Sequence, residues 1–180
     1  MSVDALHILV VCTANQCRSP LIEFALRRRA EALELPWTIT SAGTQAVPGR
    51  PPHPSAARLL EAHGDDVTRW HSQRLDRHLV GSADLVLTAT VGIRNHVIRM
   101  HPQRAGMAFP FRQLARHYLQ RDWRLRPGDR PADVRDRLAE ARLALPAGPA
   151  DADLPDPMGR SYRAFRRLDQ LIEAGAEALV

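Results

Sequence analysis

The sequence predicts a single α/β domain in which a four-stranded parallel sheet carries helices on both faces. Three observations lead there. Leu6-His7-Ile8-Leu9-Val10-Val11 is a nearly continuous apolar run rich in β-branched residues, the composition of a strand covered on both sides. Three further short runs, at 37–41, 84–88 and 107–109, alternate with longer stretches of helical periodicity, the order expected of parallel strands joined by crossover helices. At 180 residues the chain has the length of one domain and can bury a substantial core.

The elements follow in order. The first strand, 6–11, runs into Cys12-Thr13-Ala14-Asn15-Gln16-Cys17-Arg18-Ser19-Pro20. Ser19 is a favoured N-cap residue and Pro20 suits a first helical turn. Leu21, Ala25, Ala30 and Leu33, with polar residues between them, then carry a helix to about residue 35. After the second strand a helix is predicted over 54–63, with His63 before Gly64 as its last turn. The third and fourth strands lead into helices at 91–100 and 111–119, and a final helix spans about 160–178. Segment 124–155 differs in composition, containing Arg126-Pro127-Gly128-Asp129-Arg130-Pro131 and Pro146-Ala147-Gly148-Pro149. Between them a helix at 132–145 would turn Val134, Leu138, Ala141 and Leu145 to one face and pack on the body. The domain is expected to fill 1–180, with 122–153 as an insertion that either decorates the surface or covers the site. No internal repeat and no low-complexity tract is visible.

Composition narrows the partners. The net charge is +5 and the isoelectric point about 10.4, yet all 25 basic side chains are arginine and acidic residues are interspersed throughout. That reads as compositional bias rather than a nucleic-acid surface, because no aromatic-basic platform for bases accompanies it. The short runs Arg27-Arg28-Arg29 and Arg166-Arg167 are expected to be solvated helix faces. The apolar run near the N-terminus is too short for a membrane span or secretory segment. Two cysteines in one loop do not form a disulfide framework, so a reducing, cytoplasmic setting is expected. Nothing supplies those cysteines with further ligands at zinc spacing, and neither metal nor cofactor is predicted.

The loop after the first strand carries the chemistry. It places the thiol of Cys12 and the guanidinium of Arg18 at two ends of a short turn that empties onto a helix N-terminus. Unpaired backbone N–H groups and the positive end of the helix dipole collect an anion there. A cysteine is an effective nucleophile only as thiolate, the form that such a helix start and an adjacent arginine favour. The planar fork of Arg18 suits the spread charge of a phosphoryl group better than a lysine would. Ser19 is close enough in sequence to donate to the Cys12 sulfur, and Asn15 tolerates the left-handed backbone such a cradle requires. The spacing of cysteine and arginine alone would arise by chance with a probability of about 0.3. The strand, turn, Ser-Pro and helix around it are what give it meaning.

With these residues the segment resembles the phosphate loop of the low-molecular-weight protein tyrosine phosphatase family, which includes protein arginine phosphatases. Ser41-Ala42-Gly43-Thr44, Ala83-Asp84-Leu85-Val86-Leu87 and Asp156-Pro157 before a final helix are similar to further family segments, in the family's order. The resemblance implies a metal-free, cofactor-free hydrolase acting on a phosphorylated protein. Cys12 would be the nucleophile, Arg18 the charge clamp and Asp156 the general acid, with Thr13, Ala14, Asn15, Gln16, Cys17, Arg18 and Ser19 around the phosphate. Ala14 stands where the family has glycine, and a left-handed backbone at that point would cost about 1–2 kcal/mol. The aromatics that flank phosphotyrosine in many members are replaced by Val47, Met158 and Gly159, which makes Val47 and Met158 the candidate pocket walls.

Three choices stay open at this stage. An aspartate before proline is commonly a turn residue, and Asp151 and Asp153 compete with Asp156 for the acid role. Phosphotyrosine is the leading substrate and phosphoarginine the second, with Gln16 offering an amide to the phosphate environment. An arsenate reductase using a small external thiol and a non-catalytic phosphate binder share the loop. Cys17 is either a small buried residue shaping the loop or a thiol that captures oxidised Cys12 as a reversible disulfide.

Overall fold

The computed structural model describes residues 5–121, 131–145 and 152–180. Its elements run β1 (His7–Cys12), α1 (Arg18–Ala32), β2 (Thr38–Gly43), α2 (Pro54–Ala62), α3 (Arg77–Ser82), β3 (Leu85–Thr88), α4 (Val91–Met100), β4 (Ala108–Pro110), α5 (Phe111–Arg121), α6 (Pro131–Ala144) and α7 (Tyr162–Leu179), with a 3-10 turn (Pro102–Met107) ahead of β4. The sheet is wholly parallel in the order β2-β1-β3-β4. β1 is therefore an interior strand, which explains its unbroken apolar sequence.

The pleat of β1 divides the core in two. Ile8 and Val10 join Leu21, Leu26, Phe165 and Ile172 on the face covered by α1 and α7, whereas Leu9 and Val11 join Val80, Ile93 and Val97 on the face covered by α3 and α4. α5 crosses α7 so closely that a β-carbon on Gly175 would lie 2.6 Å from the Phe111 ring. In α6 Val134, Leu138 and Ala141 are buried and Leu145 packs beside them, as the periodicity predicts. The rest of the expected insertion, 122–130 and 146–151, lies outside the described residues.

Local details correct the sequence reading. α1 starts at Arg18 with Cys17 in the N-cap position, so Ser19 is not the cap. The helix stops at Ala32 rather than near residue 35, where Glu34 turns left-handed at φ 53° and Leu35 N–H returns to the Ala30 carbonyl at 2.8 Å. α3 is unforeseen, a single short helix begun by the Asp76 carboxylate accepting from Leu79 N–H at 2.8 Å. The Arg27–Arg29 run is not a solvated face. Arg27 donates to the Ile39 carbonyl and pairs with Glu23, and Arg28 bridges Asp65 and Glu173, so the run fastens α1 to β2 and α7.

Candidate active site

β1 delivers Cys12 to the C-terminal edge of the sheet, where the chain turns through 13–17 and enters α1. The end of β2 backs this turn. Thr44 N–H donates to the Cys12 carbonyl at 3.0 Å and Gln45 N–H to the Thr13 carbonyl at 2.8 Å. Gly43 lies so near that a β-carbon there would stand 2.6 Å from the Thr13 carbonyl oxygen and 2.8 Å from the Asn15 nitrogen. Only glycine fits. The left-handed residue of the turn is Asn15, at φ 54°, as its side-chain type predicts. Positive φ does not fall on Ala14, so its methyl carries no left-handed penalty.

Asn15 is fully buried, and its side-chain amide is engaged at both ends. Its Nδ2 donates to Ser19 Oγ and Ser41 Oγ, each at 2.8 Å, while Oδ1 accepts from Gln73 N–H at 2.8 Å. Because Ser19 Oγ accepts from Asn15, its own proton is left for the Cys12 sulfur 3.0 Å away. The backbone N–H of Asn15 donates to the same sulfur at 3.2 Å. Ser41 passes the chain on to the Glu23 carboxylate, which also accepts from Trp70 Nε1 at 3.1 Å and pairs with Arg27 at 2.6 Å. Burial raises the Glu23 carboxyl above its ordinary value, against the opposing pull of Arg27, Ser41 and Trp70.

Arg18 is nearly buried, and its Nη2 donates to Asp156 Oδ2 at 2.9 Å and to Thr13 Oγ1 at 3.4 Å. Asp156 is a turn residue that also reaches the phosphate loop. Its Oδ1 accepts from Met158 N–H at 3.1 Å, an Asx turn, while Oδ2 reaches the loop arginine across the fold. Asp153 points elsewhere, accepting from Val91 N–H at 2.7 Å at the start of α4. Asp151 lies outside the described residues.

The remaining loop residues divide by orientation. Cys17 is buried, and its thiol is pushed up to about 12, chiefly by burial, then by Cys12 and Asp156, with Arg18 opposing. The Gln16 amide does not serve the phosphate environment as expected. It donates outward to the Pro51 carbonyl at 3.2 Å, while the Gln16 carbonyl accepts from His53 N–H at 2.9 Å. Val47 and Met158 are both exposed, at 59% and 46%. Among the described residues the grouping with metal-ligand chemistry is His63, Asp169 and Glu173, away from this loop between α2 and α7, and Arg28 already engages Glu173. Gly43, Ser41, Gln73 and Glu23 were not singled out from sequence as parts of the site. The available signal was Glu23 itself, a carboxylate one turn beyond Ser19 with Arg27 one turn further on.

A family model described as low molecular weight phosphotyrosine protein phosphatase matches residues 7–129, which takes in the whole of this loop and the sheet that supports it. The chain belongs to that family. Among relatives of these phosphatases, the low molecular weight protein-tyrosine-phosphatase Wzb of Salmonella typhi is 37% identical over 169 residues, 94% of this chain and 88% of the relative. The structure of Vibrio vulnificus Wzb in complex with benzylphosphonate is 26% identical, covers 97% of this chain and 96% of that one, and has a TM-score of 0.70. The YwlE arginine phosphatase from Geobacillus stearothermophilus shares the fold at 22% identity and a TM-score of 0.71, covering 96% of this chain and 89% of that one.

Proposed function

We propose that the protein is a cysteine-dependent phosphatase that hydrolyses phosphotyrosine on proteins through a cysteinyl-phosphate, with Cys12, Arg18 and Asp156 as its catalytic residues. The Cys12 thiolate attacks phosphorus, an S–P bond forms as the ester O–P bond breaks, and Asp156 gives its proton to the departing phenolic oxygen. Water then attacks the cysteinyl-phosphate while Asp156 takes its proton, and the S–P bond breaks to release inorganic phosphate and the thiolate. Arg18 and the N–H groups of 13–19 hold the three equatorial oxygens through both steps. The Ser19 hydroxyl steadies sulfur as a leaving group.

The observation that carries this reading is the pair of donors on one sulfur. The Ser19 hydroxyl at 3.0 Å and the Asn15 N–H at 3.2 Å both face Cys12 Sγ, and the network behind Asn15 fixes their direction. Such donors are what a thiolate needs and a structural thiol does not. Cys12→Ser is expected to abolish hydrolysis of para-nitrophenyl phosphate while vanadate still binds, and Arg18→Lys to lose most activity. Turnover by the Cys12→Ser variant would remove Cys12 as nucleophile.

Phosphoarginine stays the second substrate reading, because exposed Val47 and Met158 offer softer walls than the aromatics of many relatives. Aromatic contacts are worth about 0.5–1.5 kcal/mol each beyond area burial, so aryl phosphates should bind weakly, with a high KM and little loss of kcat. Comparison of kcat/KM on matched phosphotyrosine and phosphoarginine peptides decides between them. We place the enzyme in the cytoplasm, where its two free cysteines stay reduced; no helix among the described residues is long and apolar enough to cross a membrane.

A further inference from the structure

A groove of about 580 Å3 opens beside Asp156 and continues along the exposed flank of α7. Pro155, Asp156 and Pro157 form its inner end, and Arg160, Arg163 and Arg167 line its length, with Leu171 beyond. The three guanidiniums are solvent-exposed, and among the described residues none has an acidic partner. The one carboxylate in the groove, Asp156, is already held by Arg18. Arg27, Arg28 and Arg29, by contrast, are engaged with the Ile39 carbonyl, Glu23, Asp65, Glu173 and Glu177. Here three unpaired cations line one groove that opens beside Asp156, the residue Arg18 of the phosphate loop holds.

We propose that this groove reads acidic side chains next to the phosphorylated residue of the substrate, so that the enzyme prefers peptides whose flank carries carboxylates at alternate positions. The proposal rests on the phosphatase reading above and adds its substrate class. Spacing supplies the register. Arg163 and Arg167 are four helical residues apart, about 6 Å along α7 at 1.5 Å per residue. An extended peptide advances about 3.3 Å per residue and turns alternate side chains to the same side, so residues two apart meet the two arginines together. Arg160, ahead of the helix, lies between them and Asp156 in the chain and takes the acidic residue nearer the reacting centre. Arginine suits this task because its fork grips a carboxylate, or a second phosphate, through two parallel hydrogen bonds.

The test uses phosphotyrosine peptides of identical net charge, with two aspartates spaced i, i+2 on one flank or placed side by side at the far end, in N-terminal and C-terminal versions. For wild-type protein kcat/KM should be about fivefold higher for the spaced peptide on one flank, the gain that two exposed ion pairs supply together. The preference should vanish in the Arg163→Gln/Arg167→Gln double variant and at 0.5 M salt, with para-nitrophenyl phosphate turnover unchanged. Wild-type protein that treats the equal-charge peptides alike overturns the groove, since bulk attraction to a +5 protein would then account for any acidic preference. So does a double variant that keeps the spacing preference. Fluorescence anisotropy of the same peptides on the Cys12→Ser variant reads the groove separately, so a failure of hydrolysis and a failure of recognition give different results.

Discussion

Replacing Gly43 by alanine is the most direct way to test whether the phosphate loop is held in place by the strand behind it. The added methyl carbon would start 2.6 Å from the Thr13 carbonyl oxygen, 2.8 Å from the Asn15 nitrogen and 2.9 Å from the Ala14 carbonyl carbon. Ordinary contact begins near 3.4 Å, so the turn must retreat by about 0.5–0.8 Å. It cannot retreat freely, because Thr44 and Gln45 N–H bonds pin the Cys12 and Thr13 carbonyls to the same strand end. Overpacking of this kind costs about 1–3 kcal/mol of stability. A displacement approaching 1 Å at a reacting group costs up to about 10²-fold in rate. The expected result is therefore a tenfold to hundredfold fall in kcat on para-nitrophenyl phosphate with a lowered melting temperature and a folded far-ultraviolet spectrum. A Gly43→Ala variant with wild-type kcat and wild-type melting would refute the reasoning, for it would mean that the turn moves aside without consequence.

Asp156→Asn should lower kcat by about 10²-fold or more for poorly departing alkyl phosphates and much less for para-nitrophenyl phosphate; equal losses would assign the acid elsewhere. Asn15→Ala should cost about 2–4 kcal/mol, read by denaturant melts, because a non-glycine residue must keep the left-handed backbone and the buried Gln73 N–H loses its acceptor. Burial raises the Glu23 carboxyl, so its contribution to stability is complete below the ordinary value of 4.5 and is lost as pH rises through the raised native value. Wild-type protein should accordingly lose stability relative to Glu23→Gln as pH rises from 4.5, and parallel melting curves above that pH would contradict the burial argument.

What the sequence made legible was whatever is local. The β1 run, the turn and the start of α1 lie within a few residues of one another, so apolar continuity, loop chemistry and a left-handed-tolerant asparagine all point to one structure. Ser19 misled as a cap because the hydroxyl that would have capped the helix is used on Cys12 instead. α3 escaped notice because six residues with Gly81 near the end carry too little periodicity to register. The backing of the loop was illegible for a different reason. Gly43 hydrogen-bonds to the backbone of Gln73 and Leu75, and Gln73 in turn reaches Asn15, pairings across thirty to sixty residues that no window of sequence contains. Asp156 lay between these extremes, suggested by the proline after it, while its contact with the arm of Arg18, 138 residues away, was not legible.

That arm has a consequence for how the site behaves toward anions in general. The guanidinium that would clamp a phosphate already grips a carboxylate oxygen of the protein's own chain. An incoming oxyanion that takes both prongs of the fork therefore displaces an internal rival from one of them. On the catalytic reading proposed above, the free site rests with one prong of the fork occupied, and the ionised Asp156 must yield it before Arg18 can close on a phosphate with both. A half-exposed ion pair is worth at most about 1 kcal/mol, so giving it up costs the incoming oxyanion no more than severalfold in affinity.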